Sequence, residues 1–314
     1  MDLTVHLPRN LILKNPIIAA SGTFGFGPEY ARFVDIDRLG GVSVKGISPE
    51  PWRGNPPPRV WETPSGLLNS IGLQNPGLSA FLAEDAPFLR TLDTVVIANI
   101  IGHTVEEYAA VAQALDREPA IDAFEVNISC PNIKAGGITF GHDPDAAYQV
   151  MRRVRQATDK PVMVKVSPNM AEPWTVAEAV VEAGADMISA INTVIGMAID
   201  LKRRQPALGG VTGGLSGPAI KPIALRIVYE IARRVRVPVI GMGGIQSPED
   251  VLEFLLAGAE AVMVGTITFQ WPDRMEGIIE ALPNVLARYG FQSLKEAVGA
   301  AQRPALADEE GLAP

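Results

Sequence analysis

A chain of 314 residues, 47% hydrophobic and 20% charged, can bury a sizeable core and belongs with globular proteins, not fibrous or disordered ones. Its net charge of −8 argues against nucleic acid as a partner, because binding a phosphate backbone requires a basic field. One cysteine excludes an internal disulfide, and with only three histidines beside it a dedicated zinc site is not expected.

No apolar run approaches the ~18 residues of a membrane span. Met1-Asp-Leu-Thr-Val lacks the basic and apolar regions of a signal peptide. The expectation is a cytoplasmic protein with no membrane contact, in which residues 1–302 form one domain. Residues 303–314, rich in Pro, Ala and acid, read as a flexible tail.

In chain order, residues 11–20 predict a strand pair leading into Ser21-Gly22, and Pro28 to Phe33 suits a short helix. Gly41-Val-Ser-Val-Lys-Gly46 is a second strand and loop. Residues 47–75 form a long connection without periodicity, and long connections in compact domains are usually functional or disordered. Val95 to Asn99 is the next strand, and Thr104-Val-Glu-Glu has a capping-box pattern opening a helix to about Arg117. From Asp122 a strand alternates Phe124, Val126 and Ile128 with Glu125 and Asn127, and Cys130-Pro131 stops it. A glycine-rich loop follows to His142. Then come a helix from about Asp143 to Thr158, a strand Pro161–Val166, a helix Thr175–Gly184 and a strand Asp186–Asn192. The loop from Thr193 to Gly217 is glycine-rich at its far end. After it come a helix Pro218–Val235, a strand from Val237 into Gly243-Gly244, and a helix capped at Ser247 and running to Leu256. A last strand Ala261–Gly265 precedes a helix Arg274–Tyr289.

Strands that are nearly all apolar imply a parallel sheet covered on both faces. About eight of them alternating with helices predict an α/β fold, a (β/α)8 TIM barrel. A doubly wound open sheet fits less well, because no glycine fingerprint with a downstream acid follows the first strand.

In such a barrel the chemistry sits at the C-terminal ends of the strands. Ser21, Lys45, Asn99, Asn127, Lys165 and Asn192 all end predicted strands and all are polar. Singly each is an ordinary loop residue; six facing one mouth are a site. Two lysines there would repel unless an anion or electron-rich ring lies between them. Gly243-Gly244 and Gly265-Thr266 follow the last two strands, where barrels often cradle phosphate. A phosphate there with lysines nearby points to a phosphorylated flat cofactor, FMN first. Cys130, among Asn127, Ser129 and Asn132, reads locally either as a reactive thiol or as a small buried hydrophobe, and its own surroundings leave both open.

Asn127-Ile-Ser-Cys-Pro-Asn132, Asn69-Ser-Ile-Gly-Leu73 and Gly241-Met-Gly-Gly-Ile245 together resemble class 1 dihydroorotate dehydrogenases, from Ser21 to about Tyr289. The loop Asn132-Ile-Lys-Ala-Gly-Gly-Ile-Thr-Phe-Gly141 is more similar to the NAD-dependent 1B form than to the fumarate-using 1A form. The membrane-associated class 2 form has serine in place of Cys130 and an N-terminal membrane helix. The resemblance implies FMN contacts from Ser21, Lys45, Gly46, Asn99, Asn127, Lys165, Ile191, Gly217, Gly243, Gly244, Gly265 and Thr266. It implies orotate or dihydroorotate contacts from Lys45, Asn69, Ser70, Ile71, Gly72, Leu73, Asn127, Asn132, Asn192 and Thr193. Carboxamides suit a pyrimidine dione, whose N–H and C=O groups alternate. Cys130 would be the base taking a proton from C5 while C6 passes a hydride to the flavin, under a lid at about 133–142.

With one cysteine the chain cannot itself hold a four-cysteine iron–sulfur cluster, and it has no dinucleotide fingerprint. If NAD+ is the final acceptor, a second polypeptide must serve it. The resemblance implies an electron-transfer subunit carrying FAD and a 2Fe–2S cluster, two of them on a homodimer of this chain, a heterotetramer. The rival readings are a 1A enzyme or dihydropyrimidine dehydrogenase-like module, a non-redox phosphate-binding barrel using Lys165 as a Schiff base, and a non-catalytic scaffold.

Overall fold

Eight short apolar strands close on themselves because each needs neighbours for its backbone hydrogen bonds and cover for two faces. The computed structural model describes residues 1–128 and 140–303. Its barrel strands are numbered here β1 (Ile17–Ala19), β2 (Gly41–Ser43), β3 (Val95–Ile100), β4 (Ala123–Asn127), β5 (Val162–Val166), β6 (Met187–Ala190), β7 (Val239–Met242) and β8 (Ala259–Val264). All pair in parallel with their sequence neighbours, and β8 pairs with β1 to close the ring. The expected (β/α)8 barrel is therefore observed.

Helices Val105–Asp116, Pro144–Arg155, Pro173–Glu182, Lys221–Ala232, Pro248–Leu256 and Arg274–Arg288 cover the outside. Their starts follow local chemistry. Thr104 accepts from the Glu107 N–H as expected, but the Glu107 carboxylate reaches the His103 N–H instead of completing the box at Thr104. Ser247 and Asp250 do form a complete capping box. Phe124, Val126, Val164 and Ile188 are fully buried between sheet and helices. Each such side chain contributes roughly 1.5–3 kcal/mol relative to exposure.

Outside the ring, two of the smaller sheets frame its ends. A hairpin, Val5–Leu7 with Leu11–Leu13, buries Leu7, Leu11 and Leu13. Arg9 at its turn ties it to the lower rim, pairing with Asp186 at 2.8 Å just before β6. Over the opposite end lies a four-stranded antiparallel canopy in the order Val194–Gly196, Gly213–Ser216, Gly66–Asn69, Val60–Thr63.

Several local expectations give way. Pro28–Phe33 is a set of turns, not a helix: the segment is too short to nucleate alone. Tyr30 instead stacks on Phe24 at 4.9 Å and its hydroxyl meets Thr268 at 2.9 Å. The connection at 47–75 and the loop at 193–217 contain the canopy strands, and the pairing that joins the two segments, Gly66–Asn69 with Gly213–Ser216, spans about 150 residues and leaves no local pattern. Helical turns at Leu78–Ala80, Phe81–Asp85 and Ala86–Leu89 went unread because a π-turn and Pro87 break the 3.6-residue rhythm. The last barrel strand begins at Ala259, two residues early. Among the described residues no helix is long and apolar enough to cross a membrane. The expected tail lies almost wholly outside the described residues.

Candidate active site

Alternation along parallel strands sends every second side chain into the barrel. On β4 that places Glu125 and Asn127 inward; Asn127 sits beside Lys165 of β5, and Lys165 beside Ser189 of β6. At the upper rim Ser21 follows β1, Lys45 and Gly46 follow β2, and Asn99 lies near the end of β3. Ile191, Asn192 and Thr193 follow β6, Gly243 and Gly244 follow β7, and Gly265 and Thr266 follow β8. All of these, with Asn127, Lys165 and Gly217, line one cavity of about 440 Å³ under the canopy. Asn192 Nδ2 lies 3.4 Å from Asn127 Oδ1, and the Asn192 Oδ1 accepts from the Thr193 N–H at 2.8 Å.

The canopy supplies the other wall. Asn69, Ser70, Ile71, Gly72 and Leu73 line the same cavity, at the end of the strand Gly66–Asn69. Asn69 Nδ2 donates to the Gly214 carbonyl at 3.2 Å. The loop at 53–59 pins the rest: Ser70 Oγ accepts from Asn55 Nδ2 at 2.9 Å, and Arg59 donates to the carbonyls of Asn55 and Arg53 at 2.6 and 3.0 Å. Gly72 adopts φ +70°, and a Cβ there would lie 2.6 Å from the Asn55 nitrogen, so only glycine fits. Every expected site residue among the described residues thus faces one cavity. Cys130, Asn132 and the expected lid to residue 139 lie outside the described residues.

A profile of the family described as dihydroorotate dehydrogenase matches residues 3–286. The chain belongs to the dihydroorotate dehydrogenase family. It is 52% identical over 299 residues to the protein of Geotalea uraniireducens named dihydroorotate dehydrogenase B (NAD(+)), catalytic subunit, covering 95% of this chain and 98% of that one. Proteins of the same name from Geobacter metallireducens and Geobacillus kaustophilus are 52% and 53% identical over 301 and 297 residues. The matches cover 96% and 95% of this chain, and 98% and 95% of theirs.

In this dihydroorotate dehydrogenase family member the cavity holds a lysine, Lys45, whose charge is costly. Burial, then the Arg59 charge, holds the Lys45 ammonium below the ordinary lysine range, with Glu29 opposing weakly. A bound carboxylate would relieve that cost. The cation acting on Lys45 is Arg59, which the sequence reading left out of the site.

Asn169 and Glu125 were also missed. Asn169 lines the cavity and anchors the segment after β6. It stands four residues beyond Lys165, past the end of β5, where no strand pattern marks it. Glu125 is fully buried and lies beneath the site. Its signal was present: the alternation that placed Asn127 inside places Glu125 inside too.

Proposed function

We propose that this chain is the catalytic chain of a class 1B dihydroorotate dehydrogenase, oxidising (S)-dihydroorotate to orotate in the pathway to UMP. The observation that carries the reading is the convergence of Asn69, Asn127 and Asn192 with Lys45 on one cavity of a chain in this family. Alternating N–H and C=O groups of the pyrimidine ring match those carboxamides, and Lys45 matches its carboxylate.

The residues present fit FMN. A Cβ on Gly244 would lie 2.8 Å from Lys221 Cβ and 2.9 Å from the Gly217 carbonyl, and one on Gly243 would meet Ala224 Cβ at 2.8 Å. These turns admit no side chain, so bare backbone lines that end of the cavity, where a phosphate is best held. Thr266 and Ser216 add hydroxyls 2.8 Å apart. Lys165, on β5, suits the electron-rich edge of the ring system. A volume of about 440 Å³ falls within the usual range for cofactor and ligand sites.

FMN, when bound, supplies the acceptor for the hydride leaving C6. Cys130, as thiolate, takes the proton from C5, so that one hydride and one proton, in total two electrons and two protons, leave the substrate and a C5–C6 double bond forms. Lys45 and the asparagines bind and orient the pyrimidine, and the canopy excludes water above it.

The relatives' names favour NAD+ over fumarate as final acceptor, and "catalytic subunit" implies a separate subunit; this reading assigns that subunit electron transfer through FAD and a 2Fe–2S cluster. A heterotetramer built on a homodimer is the assembly this reading assigns. Consistent with a second copy, several large apolar side chains on and beside the canopy are exposed, among them Trp61, Met197, Ile199 and Leu201, the last 84% exposed. Residues 1–302 act as one catalytic domain in this reading, located in the cytoplasm.

The test is anaerobic. The purified chain, supplied with FMN, should show a flavin spectrum that bleaches on adding dihydroorotate. NAD+ added next, without a partner subunit, should do little, and fumarate asks the 1A question. No bleaching with FMN present would defeat the dihydroorotate reading.

A further inference from the structure

We infer that Glu125 is a positioning residue that sets which end of the Asn99 carboxamide faces the cavity; this rests on the flavin reading above. Glu125 is fully buried on β4. Its Oε2 accepts from Asn99 Nδ2 at 2.5 Å and from Ser43 Oγ at 3.1 Å, and its Oε1 accepts from Ser189 Oγ at 2.8 Å. One carboxyl group therefore ties β4 to β3, β2 and β6 beneath the cavity floor.

A carboxamide can show a ligand either N–H or C=O, and nothing in its shape prefers one. Here the amide nitrogen is committed to the carboxylate below. The carbonyl oxygen lies on the other side, 3.1 Å from where a Cβ of Gly46 would stand, and both residues line the cavity. Asn99 thus acts as a hydrogen-bond acceptor for an N–H on the edge of a planar heterocycle. Bound FMN has such a group between two ring carbonyls. Were the amide turned over, its NH2 would oppose that N–H and the contact would become repulsive. A carboxylate is costly to bury, and three neutral partners would not by themselves require one, which points to a role in orientation.

The test couples the two residues and reads FMN affinity, by fluorescence of the flavin released when the purified holo-chain is diluted. Glu125→Met keeps length but accepts nothing, so affinity should fall about tenfold or more. Glu125→Gln keeps one carbonyl for Asn99 Nδ2 and should recover most of that loss. Asn99→Asp sets two carboxyl groups face to face and should bind weakly. In the double variant, Asn99→Asp with Glu125→Gln, the new amide below can donate to the new carboxylate above it. That variant should bind better than Asn99→Asp alone. If Glu125→Met does not fold, the Asn99→Asp pair decides. Equal affinity of Glu125→Met and the parent, or no gain in the double variant, would overturn the inference. A parent chain that binds no FMN would instead defeat the flavin reading itself, and is read first.

Discussion

Asn169 holds Thr193 in place through the backbone. Its Nδ2 donates to the Thr193 carbonyl at 3.0 Å, and its Oδ1 accepts from the N–H of Ile195 at 2.8 Å. One carboxamide thereby fixes the chain just after Asn192. Asn169→Ala should raise the KM for dihydroorotate about tenfold through loss of a half-buried bonded pair. FMN content should stay at the parent level. Loss of flavin from this variant would show that Asn169 serves the whole floor and not the pyrimidine segment.

The canopy approaches Thr193 so closely that Gly214 tolerates no side chain. A Cβ there would lie 2.0 Å from Thr193 Oγ1 and 2.6 Å from Thr193 Cβ. Gly214→Ala must push the strand Gly213–Ser216 off Thr193, at a cost of about 1–3 kcal/mol. Orotate binding, followed by the change it makes in the flavin spectrum, should weaken accordingly. Unchanged binding would mean that the canopy wall is not part of the substrate site.

Lys45 exchanges stability for binding. Because its folded value lies below the ordinary lysine value, the unfolded chain holds a proton between those two values that the folded chain has lost. Stability therefore rises with pH across that window, and below it the buried charge is a constant cost. Lys45→Met should raise the melting temperature of the ligand-free chain at pH 7 by about 2 °C. The same variant should bind orotate about 50-fold more weakly, for want of a charged hydrogen bond. A lower melting temperature would contradict the electrostatic account, and undiminished binding would remove Lys45 from the site.

Asp85, at the end of the π-turn Phe81–Asp85, has a value raised from 3.8 to about 6 by burial first, then by Glu84 and Glu29. The folded chain keeps a proton there that the unfolded chain has lost, so stability falls as pH rises from about 4 to about 6 and stays lower above. Asp85→Asn should stabilise the chain above pH 6 by about 1 kcal/mol, discounted for its exposure to solvent. Urea titrations at pH 4 and pH 7.5 check this: the gain should be present at the higher pH and absent at the lower.

Cys130→Ser should retain FMN while reducing it with dihydroorotate about 100-fold or more slowly, since a hydroxyl is a far weaker base at neutral pH. In the parent, the rate should fall on the acid side of the thiol's pKa. Stopped-flow absorbance at the flavin band measures both. An unchanged rate would take Cys130 out of the mechanism.

Much of this molecule was legible without coordinates. Apolar runs such as Val162–Val166 could only be strands buried on both faces, and their alternation with helices implied a parallel closed sheet. Since such barrels carry function at strand ends, Ser21, Lys45, Asn99, Asn127, Lys165 and Asn192 could be named from position alone, and all line the one cavity. Motifs around Asn69, Asn127 and Gly243 added the family. What depends on one strand's own residues can be read from those residues.

Tertiary structure decided the rest. The canopy pairs Asn69 with Gly214, 145 positions away, and neither segment has a periodicity of its own to announce a strand. Arg59 matters to Lys45, Asn169 to Thr193 and Glu125 to Asn99 only because the closed barrel and its canopy bring distant segments within a few ångströms. Hydrogen bonds and charges act through space over that short range, and sequence order does not record such distances until the chain has folded.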